Sequence, residues 1–260
     1  MKIINTLITA LIIFSALITG TPLKSETSGE TAYFSLEKAR SLTSSKTLGF
    51  IFQQSISESL TSGENNTIFN KKVSKNAMQA INILSELIQK YPGISDFYSA
   101  RAVAYALLPS ITDAETGRKI RKKCLNDGRK ALEINPENIE AHIALFFVDD
   151  DRTYLERALQ IDPKNETANV YMCTSKYAFP ALKGNSRNLT TEAIKELESL
   201  SDRYPDNIFI LFLKGRLYLK NGNRQMAYKI FKKAYQLDPE QPAVTILLDA
   251  LEKDPAQGNL

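Results

Sequence analysis

Small and aromatic residues recur at helical spacing near the C-terminus of the chain. Ala227, Phe231 and Ala234 occupy positions i, i+4 and i+7, with lysines standing between them. Because a helix turns once every 3.6 residues or so, these three side chains share one face. The pair Asp238-Pro239 predicts the end of this helix, since the residue before a proline is pushed out of the α region.

A second helix is predicted just before this one. Leu211, Gly215 and Tyr218 also share one helical face, and "KNGN" at 220–223 predicts a turn between the two helices. The small residues allow the helices to approach closely, and the aromatic side chain fills the space between them. The pattern therefore predicts an antiparallel helix hairpin.

The same helix ending recurs along the chain. Helical patterns end at prolines separated by steps of 44, 27, 42 and 34 residues, namely Pro92, Pro136, Pro163, Pro205 and Pro239. One hairpin cannot bury both of its apolar faces, so repeated hairpins predict a stack. We predict that long loops at 109–117 and 180–189 account for the two longest steps. The short step predicts a shortened pair of helices with residues 148–152 as its turn.

The last unit resembles a known family. Residues 208–241 are similar to the tetratricopeptide repeat, which has this 34-residue period, at Gly215, Tyr218, Gly222, Ala227, Phe231, Ala234 and Pro239. Lys214 stands where the family usually has leucine, and the other units match mainly in their second helices and terminal prolines. The resemblance implies an all-α fold, an α-solenoid of stacked antiparallel helix hairpins with irregular repeat lengths.

Capping segments are predicted on both sides of these repeats, which occupy residues 73–241. Residues 242–260 are predicted to form a capping helix and a tail, with Val244, Leu247, Leu248 and Leu251 as one apolar stripe. Residues 23–72 are predicted to hold a polar linker and N-terminal capping helices. Weak helical patterns cover 35–42 and 48–60, and a loop is expected at 61–72.

Residues 1–22 form a separate segment. Lys2 is followed by no charge until Lys24, and the most apolar part runs over 7–18. This pattern is typical of a secretory signal peptide. The uncharged stretch is also long enough for an uncleaved membrane anchor, so both interpretations stay open. Either one predicts an extracytoplasmic protein, periplasmic or secreted.

The resemblance also suggests where a partner binds. In tetratricopeptide proteins the first helices of successive hairpins line a concave groove, which here would carry Phe209, Phe212, Arg216, Leu219, Val170, Thr174 and Tyr177. Chaperone-binding members use Lys and Asn where this sequence has Ser99 and Val103, so we expect a largely apolar groove instead of their carboxylate clamp. The alternative is that Phe209 and Phe212 pack against the preceding hairpin.

Candidates for catalysis are few. His142 is the single histidine, and Asp149, Asp150 and Asp151 lack the spacing of a calcium loop. One of these aspartates is expected to cap the next helix. Cys124 and Cys173 fall at small-residue positions of the repeat, so we expect two buried thiols rather than a bridge. No enzyme activity, cofactor or metal is predicted.

Charge narrows the choice of partner. The net charge is +4, and the basic runs at 117–123 and 229–233 lack the interleaved aromatics of a single-strand nucleic-acid platform. No nucleic-acid partner is predicted, and peripheral contact with anionic lipid stays open. The sequence favours an exported scaffold that binds a protein or peptide partner in an envelope assembly. The alternative is a binder of a small apolar or lipid-like ligand, such as a transporter accessory protein.

Overall fold

The computed structural model describes residues 28–43, 64–108, 113–184 and 186–253, and all regular secondary structure in these ranges is helical. The helices are α1 (Ser28–Leu42), α2 (Glu64–Lys90), α3 (Ser95–Ala106), α4 (Ala114–Ile134), α5 (Ile139–Asp149), α6 (Thr153–Ile161), α7 (Glu166–Cys173), α8 (Phe179–Lys183), α9 (Arg187–Arg203), α10 (Ile208–Lys220), α11 (Arg224–Leu237) and α12 (Pro242–Lys253). A π-helical turn, Thr174–Ala178, joins α7 to α8. The predicted signal peptide or anchor and the helical pattern at 48–60 lie outside the described residues.

The helices pack as stacked hairpins. The pairs are α3 with α4, α5 with α6, the continuous α7–α8 segment with α9, and α10 with α11. Helix α1 packs on α2 before the first pair, and α12 packs on α11 after the last. The predicted all-α solenoid is therefore confirmed.

Close contact between the helices of a pair depends on small residues. A Cβ atom added to Gly215 of α10 would lie 2.6 Å from Cε1 of Phe231 on α11. The Phe231 ring is fully buried, as are Ala227 and Ala234 beside it on the same face. The seam predicted from these spacings is present as a contact between the two helices.

The connection between successive units is constant. Each connection has four residues, and the second of them is the proline. The connections are residues 91–94, 135–138, 162–165, 204–207 and 238–241. The backbone N–H of the residue before the proline donates to the carbonyl four residues earlier, as in the 2.8 Å bond from Asn135 to Ala131. Three of the next helices begin with an asparagine cap, at Asn138, Asn165 and Asn207.

The long steps are not caused by long loops alone, as the sequence had suggested. In the 42-residue step, residues 180–183 lie in α8 and 187–189 in α9, so the predicted loop at 180–189 is wrong. The continuous helical segment from Glu166 to Lys183 and helix α9 together carry all of the extra length. In the 44-residue step, 114–117 belong to α4, which has 21 residues against 14 in α11.

The short step matches its prediction. Helices α5 and α6 have only 11 and 9 residues, and the turn between them spans 150–152. Asp150 adopts a left-handed conformation with φ of 54° and ends α5. The carboxylate of Asp151 accepts from the Thr153 N–H at 3.0 Å, but the N-cap position of α6 is Arg152, which makes no side-chain capping bond, so the expected aspartate cap is absent from that position.

Both ends of the stack differ from simple caps. Helix α2 begins at Glu64, so the loop expected over 61–72 is helical from residue 64 onward. Helix α12 buries the predicted stripe of Val244, Leu247, Leu248 and Leu251. Helix α2 also contacts α12, and Lys72 forms a 2.7 Å ion pair with Glu240 in the connection before α12.

We predict that Gly215→Ala destabilises the protein, because the added methyl group must displace the buried Phe231 ring. Overpacking of this kind costs about 1–3 kcal/mol, offset by up to about 1 kcal/mol from the better helix propensity of alanine. The measurement is urea unfolding. Gly29→Ala is the matched control, because nothing lies within 4 Å of its added Cβ in α1. Equal changes in the free energy of unfolding for Gly215→Ala and Gly29→Ala would contradict the seam, because the gain in helix propensity is common to both.

Candidate functional site

The first helices of the hairpins are joined by a row of aromatic rings. Phe147 of α5 meets Tyr171 of α7 with ring centroids 4.6 Å apart, and Tyr171 meets Phe209 of α10 at 5.9 Å. Tyr171 is buried, and burial raises the pKa of its hydroxyl. These contacts hold α5, α7 and α10 in one layer, which we call the first-helix layer together with α3.

The predicted groove residues divide into two groups. Four are buried in the core, namely Phe209, Phe212, Val170 and Thr174. Phe209 packs on Tyr171 of the preceding hairpin, and the ring of Phe212 lies 6.2 Å from that of Phe231. Burial on both sides of α10 explains its nearly continuous apolar sequence. The expectation that these four side chains line an open surface is therefore wrong.

The other three predicted residues reach the surface in part. Tyr177, Arg216 and Leu219 are half-buried. Tyr177 lies in the π-helical turn, where the Lys176 ammonium sits 5.0 Å from the centre of its ring. That Tyr177, Arg216 and Leu219 contact a partner stays a prediction.

A polar cluster occupies the other end of the first-helix layer, at the first turns of α3 and α5. The guanidinium of Arg40, in the last turn of α1, donates to Glu140 at 2.8 Å and lies 3.5 Å from Asp96. Ser99 of α3 also donates to Glu140, at 2.8 Å. Burial acts to lower the pKa of Arg40, but its acidic neighbours reverse this and raise it, with Glu140 contributing most.

Asn138 ties this cluster to the connection between units. Its side-chain oxygen accepts from the Ala141 N–H at 2.9 Å and caps α5. Its amide donates to the Ser95 hydroxyl at 2.7 Å, and Ser95 donates in turn to the Ala131 carbonyl. The same amide donates to Asp96 at 3.3 Å, so the residue that starts α5 also holds one of the two acids beside Arg40.

Arg216 differs from the other partly buried arginines. Its guanidinium lies 5.9 Å from the centre of the Phe212 ring. Its Nη1 atom is buried and has no hydrogen-bond partner among the described residues, and burial lowers the pKa of the side chain.

His142 is held as a core residue. Its Nε2 lies 3.1 Å from the Pro136 carbonyl, which fixes the proton on that nitrogen, and the buried Nδ1 has no partner within the described ranges. Burial lowers the pKa of the imidazole. No nucleophile shares hydrogen bonds with His142 in the part of the chain that the structure describes.

The two cysteines lie in the core, as their positions in the repeat predicted. Cys124 and Cys173 are free and buried, and burial raises the pKa of Cys173 to about 12. Within the described ranges, no three His, Cys, Asp or Glu residues are placed to hold a metal ion. No helix in those ranges has the length and apolar character needed to cross a membrane.

The last hairpin of the stack matches a known protein family. A model of the tetratricopeptide repeat family matches residues 210–241, which form α10, α11 and their connections. This unit is a tetratricopeptide repeat. Proteins built from such repeats generally act as protein–protein interaction scaffolds rather than as enzymes.

Tetratricopeptide proteins are also found among solved structures with a similar fold. TTC0263, a thermophilic TPR protein of Thermus thermophilus, is 12% identical, with 69% of this chain and 92% of that chain covered and a TM-score of 0.52. YrrB, a TPR protein described with an unusual peptide-binding site, is 17% identical and has a TM-score of 0.40. The match covers 77% of this chain and 97% of YrrB. MamA is 16% identical and has a TM-score of 0.39. The match covers 72% of this chain and 91% of MamA. TTC0263 shares the fold of this chain. Comparison with curated proteins by sequence finds no match.

The polar cluster around Arg40 was not predicted from the sequence. Its members are Asp96, Ser99 and Glu140, of which only Ser99 had been noted. Arg40 and Glu140 are separated by 100 residues, so no local pattern connects them. The recurrent asparagine two residues after a proline, at Asn138, Asn165 and Asn207, was a signal that could have marked each first-helix start.

We predict that Glu140→Gln loosens α1 from the first-helix layer, because Arg40 keeps only the more distant Asp96 as a charged partner on that layer. The side chains are about a third exposed, so we expect a loss of about 1 kcal/mol and up to tenfold faster hydrogen exchange in α1. Glu115→Gln, which removes an exposed ion pair with Lys119, is the control. Unchanged exchange in α1 would contradict this role for Glu140.

We predict that His142 makes the protein less stable in mild acid. The pKa of the folded imidazole is lowered from its ordinary value of 6.5, so the unfolded chain binds the proton more readily as pH falls below that value. The free energy of unfolding should therefore drop more between pH 7.5 and about pH 5.5 in the wild type than in His142→Gln. Thermal unfolding across this range is the measurement, and parallel curves for the two proteins would contradict the prediction.

Proposed function

We propose that the protein is an exported scaffold that binds a protein or peptide partner through its first-helix layer, as part of an envelope assembly. The observation that carries the proposal is the placement of Tyr177, Arg216 and Leu219. All three remain partly accessible on first helices whose neighbouring side chains are buried. A surface of this composition suits an amphipathic or extended polypeptide segment.

The π-helical turn supports a binding role for this part of the layer. A π turn inserts one extra residue into a helix and costs hydrogen-bond geometry, and such turns occur often at functional sites. Here the turn carries Tyr177 at its exposed side, while its Thr174 hydroxyl donates to the Val170 carbonyl at 2.6 Å. We infer that the turn keeps Thr174 buried and presents Tyr177 to a partner.

Export is supported by the N-terminal sequence. A basic residue followed by a short apolar stretch is typical of a signal peptide or anchor, and either would deliver the repeats outside the cytoplasm. A partner in the cell envelope follows from that location.

The test is partner capture by the full-length chain, tagged at its C-terminus and cross-linked in its native cells before the envelope fraction is collected. Tyr177→Ala is compared with Tyr235→Ala, an exposed tyrosine on the second helix α11. We expect the wild type and Tyr235→Ala to capture the same protein, and Tyr177→Ala to lose at least about tenfold of it, the effect of roughly 1.4 kcal/mol at an anchor residue.

Two results would overturn the proposal. Absence of the chain from the envelope fraction would remove the export and assembly claims. Equal capture by Tyr177→Ala and Tyr235→Ala would remove the first-helix layer as the contact surface. Thermal unfolding of each variant shows whether a loss of capture reflects misfolding.

A further inference from the structure

The first half of α4 carries a dense positive charge. Five of its six residues at 118–123 are basic, and we call these the basic patch, namely Arg118, Lys119, Arg121, Lys122 and Lys123, all exposed. Lys119 pairs with Glu115 at 2.7 Å, and no other member forms an ion pair within the described ranges. Like charges three or four positions apart on a helix repel each other, so the patch lowers the stability of its own helix.

Helix α4 carries the start of this patch beyond its neighbours. The Sγ atom of Cys124 lies 3.2 Å from the Ala102 carbonyl oxygen in α3 and 3.8 Å from that of Ala144 in α5. From these contacts α3 continues for four more residues and α5 for five, whereas α4 runs back for ten. Helix α4 therefore extends past both by roughly five residues, or about 8 Å.

Other hairpin turns on the same side of the stack are basic as well. We call this side, where first helices end and second helices begin, the hairpin-turn end. Lys183 and Arg187 flank the turn before α9, and Lys220 ends α10, all three exposed. The shortest unit is the exception, because its turn has the three aspartates at 149–151. None of them forms an ion pair with the basic patch in the part of the chain that the structure describes.

Helix α1 also starts toward the hairpin-turn end. Its last turn lies at the opposite end, because Arg40 is 3.5 Å from Asp96 in the first turn of α3. The buried residues Ala32, Leu36 and Ala39 pack it along α2 over two turns. Since α2 and α3 are antiparallel helices joined by four residues, the start of α1 points toward the end of α3 and the start of α4.

The exposed face of α1 is aromatic near that start. The side chains of Tyr33 and Phe34 are 50% and 71% exposed, and their rings meet edge to face with centroids 6.3 Å apart. Four residues separate Ser28 from Leu23, the last residue of the uncharged stretch at 3–23. Four residues reach about 14 Å at most when extended. An anchor formed by that stretch would therefore hold both rings near the surface of the bilayer, where aromatic residues are enriched.

We propose that the hairpin-turn end docks on the surface of a bilayer that contains anionic phospholipids. Tyr33 and Phe34 enter the interface, and the basic patch contacts the headgroups. This inference rests on the export in the proposed function, and it adds a membrane surface to the protein partner.

Two features favour a bilayer over another anionic partner. The charges of the basic patch are spread over successive turns of one protruding helix, which matches negative charge distributed over a plane. Exposed aromatic rings at the same end suit the boundary between headgroups and acyl chains, whereas an acidic protein surface would leave them against polar groups.

The first measurement is co-sedimentation of the full-length chain with vesicles of equal parts phosphatidylglycerol and phosphatidylcholine, or of phosphatidylcholine alone. The N-terminal stretch contributes to both, so the ratio of the two partition coefficients isolates the effect of charge. We expect Arg118→Gln/Lys122→Gln to lower this ratio about 25-fold, since each basic residue near an anionic surface contributes about fivefold. Lys232→Gln/Lys233→Gln is the matched control, because it removes the same charge from exposed positions near the other end of the stack. It should leave the ratio nearly unchanged.

A tryptophan reporter tests the orientation. The chain has no tryptophan, so Phe34→Trp introduces a single one. Its emission should move to shorter wavelength on the phosphatidylglycerol vesicles, as the indole ring leaves water. Tyr235→Trp, at a position 38% exposed in the last turn of α11, is the control reporter and should not shift.

Several results would overturn this inference. Equal partition of the wild type into both vesicle types would exclude recognition of anionic lipid. Equal losses in the two double variants would trace binding to net charge instead of to the hairpin-turn end. Unchanged emission of Phe34→Trp on bound vesicles would remove α1 from the interface.

Capture of an acidic protein that Arg118→Gln/Lys122→Gln loses, without any preference for anionic vesicles, would assign the basic patch to that protein and overturn the inference as well. Vesicle binding needs no protein partner, so its outcome is independent of the capture experiment with Tyr177→Ala. Thermal unfolding of each variant shows whether a loss of binding reflects misfolding.

Discussion

The four-residue connection at each proline is the constraint on which the rest of the structure depends. It ends one helix, because the residue before the proline cannot stay in the α region, and it begins the next helix three residues after the proline. Its length is the same at all five positions although the helices between them differ widely. Each unit therefore meets the next with the same local geometry, and the first helices are brought side by side. The polar cluster around Glu140 and the aromatic row through Tyr171 both follow from that arrangement.

Variation in length is accommodated within the units instead. The shortest hairpin loses residues from both of its helices, while the longer ones extend their helices. Extending a helix adds a hydrogen bond for nearly every residue fixed, whereas a long loop leaves backbone groups to be satisfied in other ways. The cost appears after α7, where the helix continues through a π-helical turn of 5 residues. That turn places Thr174 in the core and leaves Tyr177 partly exposed.

The sequence predicted the features that are encoded locally. Helix ends at prolines, the seam of Gly215 and Phe231 and the buried cysteines each follow from residue type and spacing. The loop at 180–189 was predicted wrongly because Pro180 and Gly184 are ordinary loop signals. Pro180 lies instead inside the continuous helical segment, directly after the π-helical turn, where the altered backbone hydrogen bonding accommodates a residue without an N–H. The burial of Phe212 and the pairing of Arg40 with Glu140 depend on tertiary contacts, so a periodic pattern could not distinguish a groove from a core.

The contact between α2 and α12 changes what kind of repeat protein this is. In an open solenoid each unit touches only its neighbours, and units can be added or lost at an end with little effect on the rest. Here the ion pair of Lys72 with Glu240 spans 168 residues of sequence and accompanies direct contact between the two helices. The exposed ion pair contributes little by itself, but the helix contact brings the first and last parts of the described stack together. A change at one end of the stack can therefore reach the other end directly through this contact, without passing through the units between them.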